Sequence, residues 1–563
     1  MAKFTMIKWY KLFIFFSVSL LLVKCANQLP PPGGPIDRVP PEVLEVYPSN
    51  GTTNFNDDHL EITFSEYIDK MSIMNALFIS PEIKNLGYDW SGTSVEITFD
   101  DTLQENTTYT VSIGSNIQDL NNKNNMARAV NFAFSTGPKL DVGKISGRVY
   151  DKDPNGVMIF AYMKTDTFAN PLVAKPKNVS QVGDNGEFFF LGLANGIYRV
   201  FAVKEENNNR IYNIGEDMYG APYTEITLTD SATTFNGMNY RLTKEDTTAP
   251  YISNVTMTDK NHILIEYSES IDSSRITNDN FIIVDSTTQK VTPTVHFFKP
   301  TQNKSEYYVT VADSLNEEGN HFVIAKNIFD RKGNEMVFDS YQFVISTAPD
   351  TLAPSFKKIE TGFEKNKIDY KDPSFVMFFN DGITTENFKD AVSIKYKGKN
   401  YSFDVFKIDD ASYRIKILNK LKPNKKLDLD IDSKLIRDTA GNQLDTVSTI
   451  HLETLSGREF SGVSGQIQLT DFDNNVVVVL DGTERKKRTY FTPMQDDQSY
   501  NFERVLPGNY LIWCFIDSDK NGKFNYGSVE PFEFSERFFS YPDTLELKAR
   551  WPVGDVIITE ELQ

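Results

Sequence analysis

Short apolar runs recur along the chain, and turn-forming residues interrupt them at roughly 8–12-residue spacing. Many runs alternate with polar positions, as in Phe132-Ala133-Phe134-Ser135-Thr136 and Phe343-Val344-Ile345-Ser346-Thr347. A period of two buries one face of a strand, and no 3.6-residue helical period is sustained. The pattern predicts an all-β chain of sandwiches. The 42 Phe and 26 Tyr also favour strands over helices. Tyr510 to Ile516 is instead continuously apolar and reads as a buried strand, with Cys514 as a small core residue.

The N-terminus departs from this pattern. Leu12 to Val23 is an apolar run preceded by Lys3, Lys8 and Lys11. Crossing a bilayer takes ~20 residues, so this run reads as an export signal. Leu22-Val23-Lys24-Cys25 resembles the lipobox of bacterial lipoproteins, with Lys24 where that family usually carries a small residue. The resemblance implies cleavage before Cys25 and its acylation. Ala26 to Pro35 is then a Pro/Gly-rich tether.

One linker recurs three times, as Asp37-Arg38-Val39-Pro40-Pro41, Asp246-Thr247-Thr248-Ala249-Pro250 and Asp350-Thr351-Leu352-Ala353-Pro354. Phe64-Ser65-Glu66-Tyr67-Ile68-Asp69 follows the first, and Tyr267-Ser268-Glu269-Ser270-Ile271-Asp272 the second. The third copy has only Phe379-Asn380-Asp381-Gly382-Ile383. Farther on come Ile117-Gln118-Asp119 with an Asn-rich turn, Ile328 to Asn334, and Ile436 to Asn442; the last two end in the Gly-Asn of a tight turn. Together these marks resemble the SbsA-type bacterial Ig-like domain of S-layer proteins and surface lipoproteins. That resemblance implies seven-stranded sandwiches used for display, spacing or binding.

A second repeat pairs Ile145-Ser146-Gly147 with Val463-Ser464-Gly465. It also pairs Leu193-Ala194-Asn195-Gly196-Ile197-Tyr198 with Leu506-Pro507-Gly508-Asn509-Tyr510. It resembles the carboxypeptidase-regulatory or prealbumin-like sandwich, which implies a glycine turn, inward Phe and Tyr, and no catalysis. The marks divide the chain into a signal peptide at 1–24 and a tether at 25–39, then an Ig-like domain at 40–138 and a prealbumin-like sandwich at 141–244. Ig-like domains at 246–349 and 350–456 follow, then a second prealbumin-like sandwich at 459–550 and a tail at 551–563. The junctions near Pro250 and Pro354 hold few apolar residues, so neighbouring domains are expected to share little core.

Charge and chemistry narrow the function. A net charge of −19 opposes nucleic-acid binding, which needs clustered Lys and Arg. The five histidines, His59, His262, His296, His321 and His451, show no metal-ligand spacing, and no nucleophile elbow, phosphate loop or C-x-x-C is present. No catalytic residue is assigned. Ser65-Glu66 and Ser268-Glu269 read as strand ends entering a polar turn, since both copies place them alike. Trp90, Trp513 and Trp551 are the candidate sugar platforms, with Trp513 read as core.

The candidate cofactor is Ca²⁺, at Asp517-Ser518-Asp519-Lys520-Asn521-Gly522-Lys523-Phe524. Asp517, Asp519 and Asn521 would offer side-chain oxygens, Lys523 its carbonyl, and Glu530 a further carboxylate two positions past the usual place. A polar hairpin turn explains the same residues. The expected role is a lipid-anchored, non-enzymatic spacer or binding scaffold of the cell envelope, at the outer membrane or cell surface, with an envelope protein or glycan as partner. The alternatives are a glycan-binding protein using exposed aromatics and an envelope hydrolase with an interdomain carboxylate site.

Overall fold

The structure, a computed structural model, describes residues 37–183, 185–299, 304–384, 388–470, 475–484 and 488–560. Cys25, the signal at 1–24 and the tether up to residue 36 lie outside the described residues. The chain divides into two units, Met1–Leu140 and Asp141–Gln563. Strands dominate both. Among the described residues the α-helix is Lys70–Ala76, capped by Asp69, whose side chain accepts the Met71 N–H.

The first unit holds one sandwich. Val43–Tyr47, His59–Phe64, Ser94–Phe99 and Leu86–Ser91 form an antiparallel sheet in that order. It faces Leu77–Ser80, Thr108–Ile113 and Val130–Ser135. In His59–Phe64 the apolar positions alternate inward, burying Leu60, Ile62 and Phe64. Each contributes roughly 1.5–3 kcal/mol by leaving water.

The second unit holds four sandwiches. In the third sandwich of the chain, Lys290–Phe298 joins the two sheets: its first half pairs Phe281–Asp285 and its second half pairs Glu306–Val311. Pro293, with no N–H to donate, lies next to the changeover. The fourth sandwich sets Phe356–Glu360, Ser374–Phe379, Ser412–Ile417 and Phe403–Asp409 against a five-stranded sheet.

The second and fifth sandwiches share one topology. Gly143–Arg148 pairs Glu187–Leu193 antiparallel and Thr234–Phe235 parallel. Likewise Ser461–Gln468 pairs Ser499–Val505 antiparallel and Val553–Thr559 parallel. The reading of 551–563 as a tail therefore fails over Val553–Thr559, which completes the fifth sandwich by burying Val556 and Ile558. The parallel strand also explains the repeated glycine. A Cβ on Gly147 would lie 1.9 Å from the Met238 carbonyl oxygen, and one on Gly465 1.8 Å from that of Val556.

The expectation of little shared core fails at the junction of the third and fourth sandwiches. Phe298 belongs to the fourth sandwich's core and Tyr308 packs against it, although both lie on strands of the third. The linker itself is polar, as read; the apolar contact comes from strands far from it in sequence. The fourth and fifth sandwiches meet where Arg504 chelates Asp369 and lies 4.0 Å from the Phe460 ring centre.

Candidate functional site

The three recurring linkers and the three recurring turns bind each other. Buried Asp119 accepts the backbone N–H groups of Asn122, Lys123 and Asn124. Asp330 accepts those of Lys332, Gly333 and Asn334, and Asp438 that of Asn442. The asparagine that closes each turn reaches back to the linker. Asn124 Nδ2 donates to the Asp37 carbonyl (3.2 Å), Asn334 to Asp246 (2.8 Å) and Asn442 to Asp350 (3.2 Å).

The Ser-Glu mark pins the linker's other end. Ser65 Oγ accepts the Glu42 N–H and Ser268 Oγ that of Tyr251; in the third copy Asn380 Oδ1 takes the Ser355 N–H. The structural reading of this mark therefore holds, with asparagine in place of serine in the copy that lacks it. Glu66 and Glu269 are raised above the usual carboxylate range, first by burial and then by the turn and linker aspartates beside them.

In the third copy a histidine enters this cluster from the preceding sandwich. His262 Nε2 lies 2.8 Å from Asp381, and its Nδ1 lies 2.9 Å from Asp259 and 3.7 Å from Asp350. Burial alone would lower the pKa of this imidazole. Its hydrogen bonds to Asp259 and Asp381, and their charges, outweigh burial and raise it to about 10. Sequence spacing gave no hint of this site, because its members lie on two domains.

At the calcium candidate, Asp517, Asp519, Asn521 and Lys523 share one turn, with Gly522 at φ 73°. Asp517 accepts the Asn521 and Gly522 N–H groups, and Asn521 Oδ1 that of Lys523. Glu530 does not join them; it accepts from Asn170 at 2.8 Å. Glu536 takes that place instead, one oxygen on the Ser518 N–H (2.7 Å) and one on the Asn525 N–H (3.0 Å). Oxygens of Asp517, Asp519 and Glu536 fall within 4.8 Å of one another. The second sandwich builds the same bracket with Asp217, which accepts the Glu206 and Asn213 N–H groups at 2.9 and 2.8 Å. Backbone amides thus hold this loop in both copies, one of which lacks the D-x-D-x-N spacing.

Compared with the second sandwich, the fifth carries an insertion between Gly527 and Glu536, and it docks on the second sandwich. Ser535 N–H donates to the Pro222 carbonyl, Ser535 Oγ to that of Ala221, and Tyr219 Oη to that of Gly527. The Arg199 guanidinium lies 3.5 Å from the Phe532 ring centre. Beside this contact, Arg241 lies 4.0 Å from the Trp513 ring centre, and Trp513 Nε1 donates to Asp481 at 3.1 Å. Trp513 is thus buried with Phe515 and Phe538 against Tyr150 of the second sandwich, not inside its own. Cys514, one residue on, points into its own sandwich core, and burial pushes its thiol pKa well up. Of the other candidate platforms, Trp90 packs partly on the first core under Lys70, and Trp551 is 74% exposed.

Residues 37–136 match the family model described as a bacterial Ig-like domain. No curated protein matches the sequence. Among solved structures, the N-terminal part of the bacterial S-layer protein SbsC is 14% identical over 37% of this chain and 44% of that one, with a TM-score of 0.16. A longer SbsC structure is 11% identical over 84% and 64%, with a TM-score of 0.14. The major pilin subunit BcpA of Bacillus cereus is 11% identical over 74% and 99%, with a TM-score of 0.13. The chain spans less than two thirds of the SbsC structures it matches.

Proposed function

We propose, from the bacterial Ig-like domain that residues 37–136 form, that this chain is a non-enzymatic, lipid-anchored scaffold of the cell envelope whose second unit is a stiff spacer. The observation that carries this reading is the docking of the fifth sandwich on the second. Sandwiches joined only by linkers would bend at each one, so a contact between the first and last members of a four-member unit removes that freedom. The amide-bound linkers add to it, because each backbone is tied to a turn before its first strand begins. Such a unit holds what it carries in a fixed arrangement of its four sandwiches. An envelope protein is the proposed partner.

The membrane attachment is tested at Cys25. With acylation there, Cys25→Ser moves the protein from the membrane fraction to the soluble one. A variant that still pellets with membranes and keeps Met1 would make Leu12 to Val23 the anchor instead.

A further inference from the structure

We propose that the junction of the third and fourth sandwiches binds a first-row divalent metal ion such as Zn²⁺ or Co²⁺, with Asp259, His262 and Asp350 as ligands. One ligand atom from each of these residues lies within 4.8 Å of the other two. An independent feature points into the same space. Asp350 Oδ1 accepts the Leu352 N–H, but Oδ2 is buried with no hydrogen-bond partner among the described residues, on a side chain only 3% exposed. It faces His262 Nδ1 at 3.7 Å, too far for a hydrogen bond and close to the separation of two ligands on one metal.

The other ring nitrogen supports the assignment. His262 Nε2 lies 2.8 Å from Asp381, and a metal-bound histidine characteristically donates its free N–H to such a carboxylate. Asp381 thereby acts as a positioning residue, orienting Nδ1 toward Asp259 and Asp350. Charge favours the same ligand. Asp259, Asp350 and Asp381 face the one imidazole, and Asp438 converges with Asp350 and Asp381 within 4.8 Å, so three carboxylates meet the ring and a fourth stands behind them. Among the described residues, no lysine or arginine forms an ion pair with any of the four. An imidazole nitrogen beside carboxylate oxygens suits Zn²⁺ or Co²⁺ better than Ca²⁺, which takes oxygen ligands. Asp259, with 22% of its side chain exposed, gives the ion a way in from solvent. The metal takes the Nδ1 position otherwise held by a proton and ties the third sandwich to the fourth.

The test uses the full chain, stripped with EDTA and titrated with Co²⁺ while visible absorption is recorded, and with Zn²⁺ while melting is followed. The expected result is a saturable Co²⁺ absorption and a Zn²⁺-dependent rise in melting temperature. Both are lost in Asp350→Asn and weakened at least tenfold in Asp259→Asn, whose more exposed position spares the fold. Asp519→Asn, in the fifth sandwich, leaves both unchanged. No absorption at millimolar Co²⁺, equal binding by Asp350→Asn when its circular dichroism shows it folded, or loss in Asp519→Asn instead would each overturn the assignment.

Discussion

Trp513→Ala is expected to lower the unfolding free energy of the second unit by about 3–5 kcal/mol, the range for removing a large buried aromatic. The indole is 5% exposed and lies between its own sheet and the second sandwich, edge-on to Phe524 and Phe538. Truncation empties that space, removes the surface on which Arg241 stacks, and takes the Nε1 donor from buried Asp481. Cys514→Ala, on the other face of the same strand, provides the contrast. It removes one small core atom, should cost about 1 kcal/mol, and should leave the docking of the two sandwiches intact. Urea unfolding of both variants checks the first difference, and equal losses would mean that the Trp513 face contributes no more than the core face.

The second large effect is expected at the repeated turn. Asp330→Ala leaves three backbone N–H groups and the Asn334 amide without their acceptor, and Asn334 then no longer holds the Asp246 carbonyl in place. Hydrogen bonds to a buried charge contribute about 1.5–3 kcal/mol each, but water reaches part of a surface turn, so a loss of about 3 kcal/mol is expected. Glu269→Gln, in the same cluster, should act in the opposite direction. The Glu269 pKa is raised by burial and by Asp246 and Asp330, so its charged form is disfavoured in the fold. Removing that charge should leave stability at neutral pH unchanged or higher, and the benefit should vanish on acidification as Glu269 protonates. Thermal melts of both variants across that range decide the signs, and a destabilising Glu269→Gln would contradict this view of the cluster.

The internal marks of the sequence pointed to the right residues without showing that they touch. Asp37, Asp246 and Asp350 stood out as linkers, and Asn334 and Asn442 as turn residues; that each asparagine binds its linker needs the fold, because some ninety residues separate them. Asn380 stood in the third copy of the mark, but its equivalence to serine was not legible, because the two offer an acceptor oxygen to the linker N–H through different side chains.

The interface between the second and fifth sandwiches did leave a signal. Val157–Met163 and the stretch from Tyr510 to Ile516 are apolar at successive positions, not alternate ones, and strands covered on both faces read in that way. The strand at Val553–Thr559 was missed because Gly554 and Asp555, which has φ 58°, interrupt its pattern beside a bulge. At the junction around His262, Asp350 and Asp381 lay in the repeated marks, but their meeting with Asp259 and His262 was not legible, since the two pairs come from different sandwiches.

Cutting the linker between the second and third sandwiches tests the closure of the second unit most directly. A protease site inserted between Thr248 and Ala249 in the full chain, cleaved under native conditions, yields two fragments joined only by contacts outside the linker. The account predicts that they co-elute on size exclusion at micromolar concentration, because the fifth sandwich holds the second, and that the same cut in Trp513→Ala lets them separate. Separation of the cut but otherwise unaltered chain would show that the sandwiches are tethered beads, and would contradict the stiff spacer.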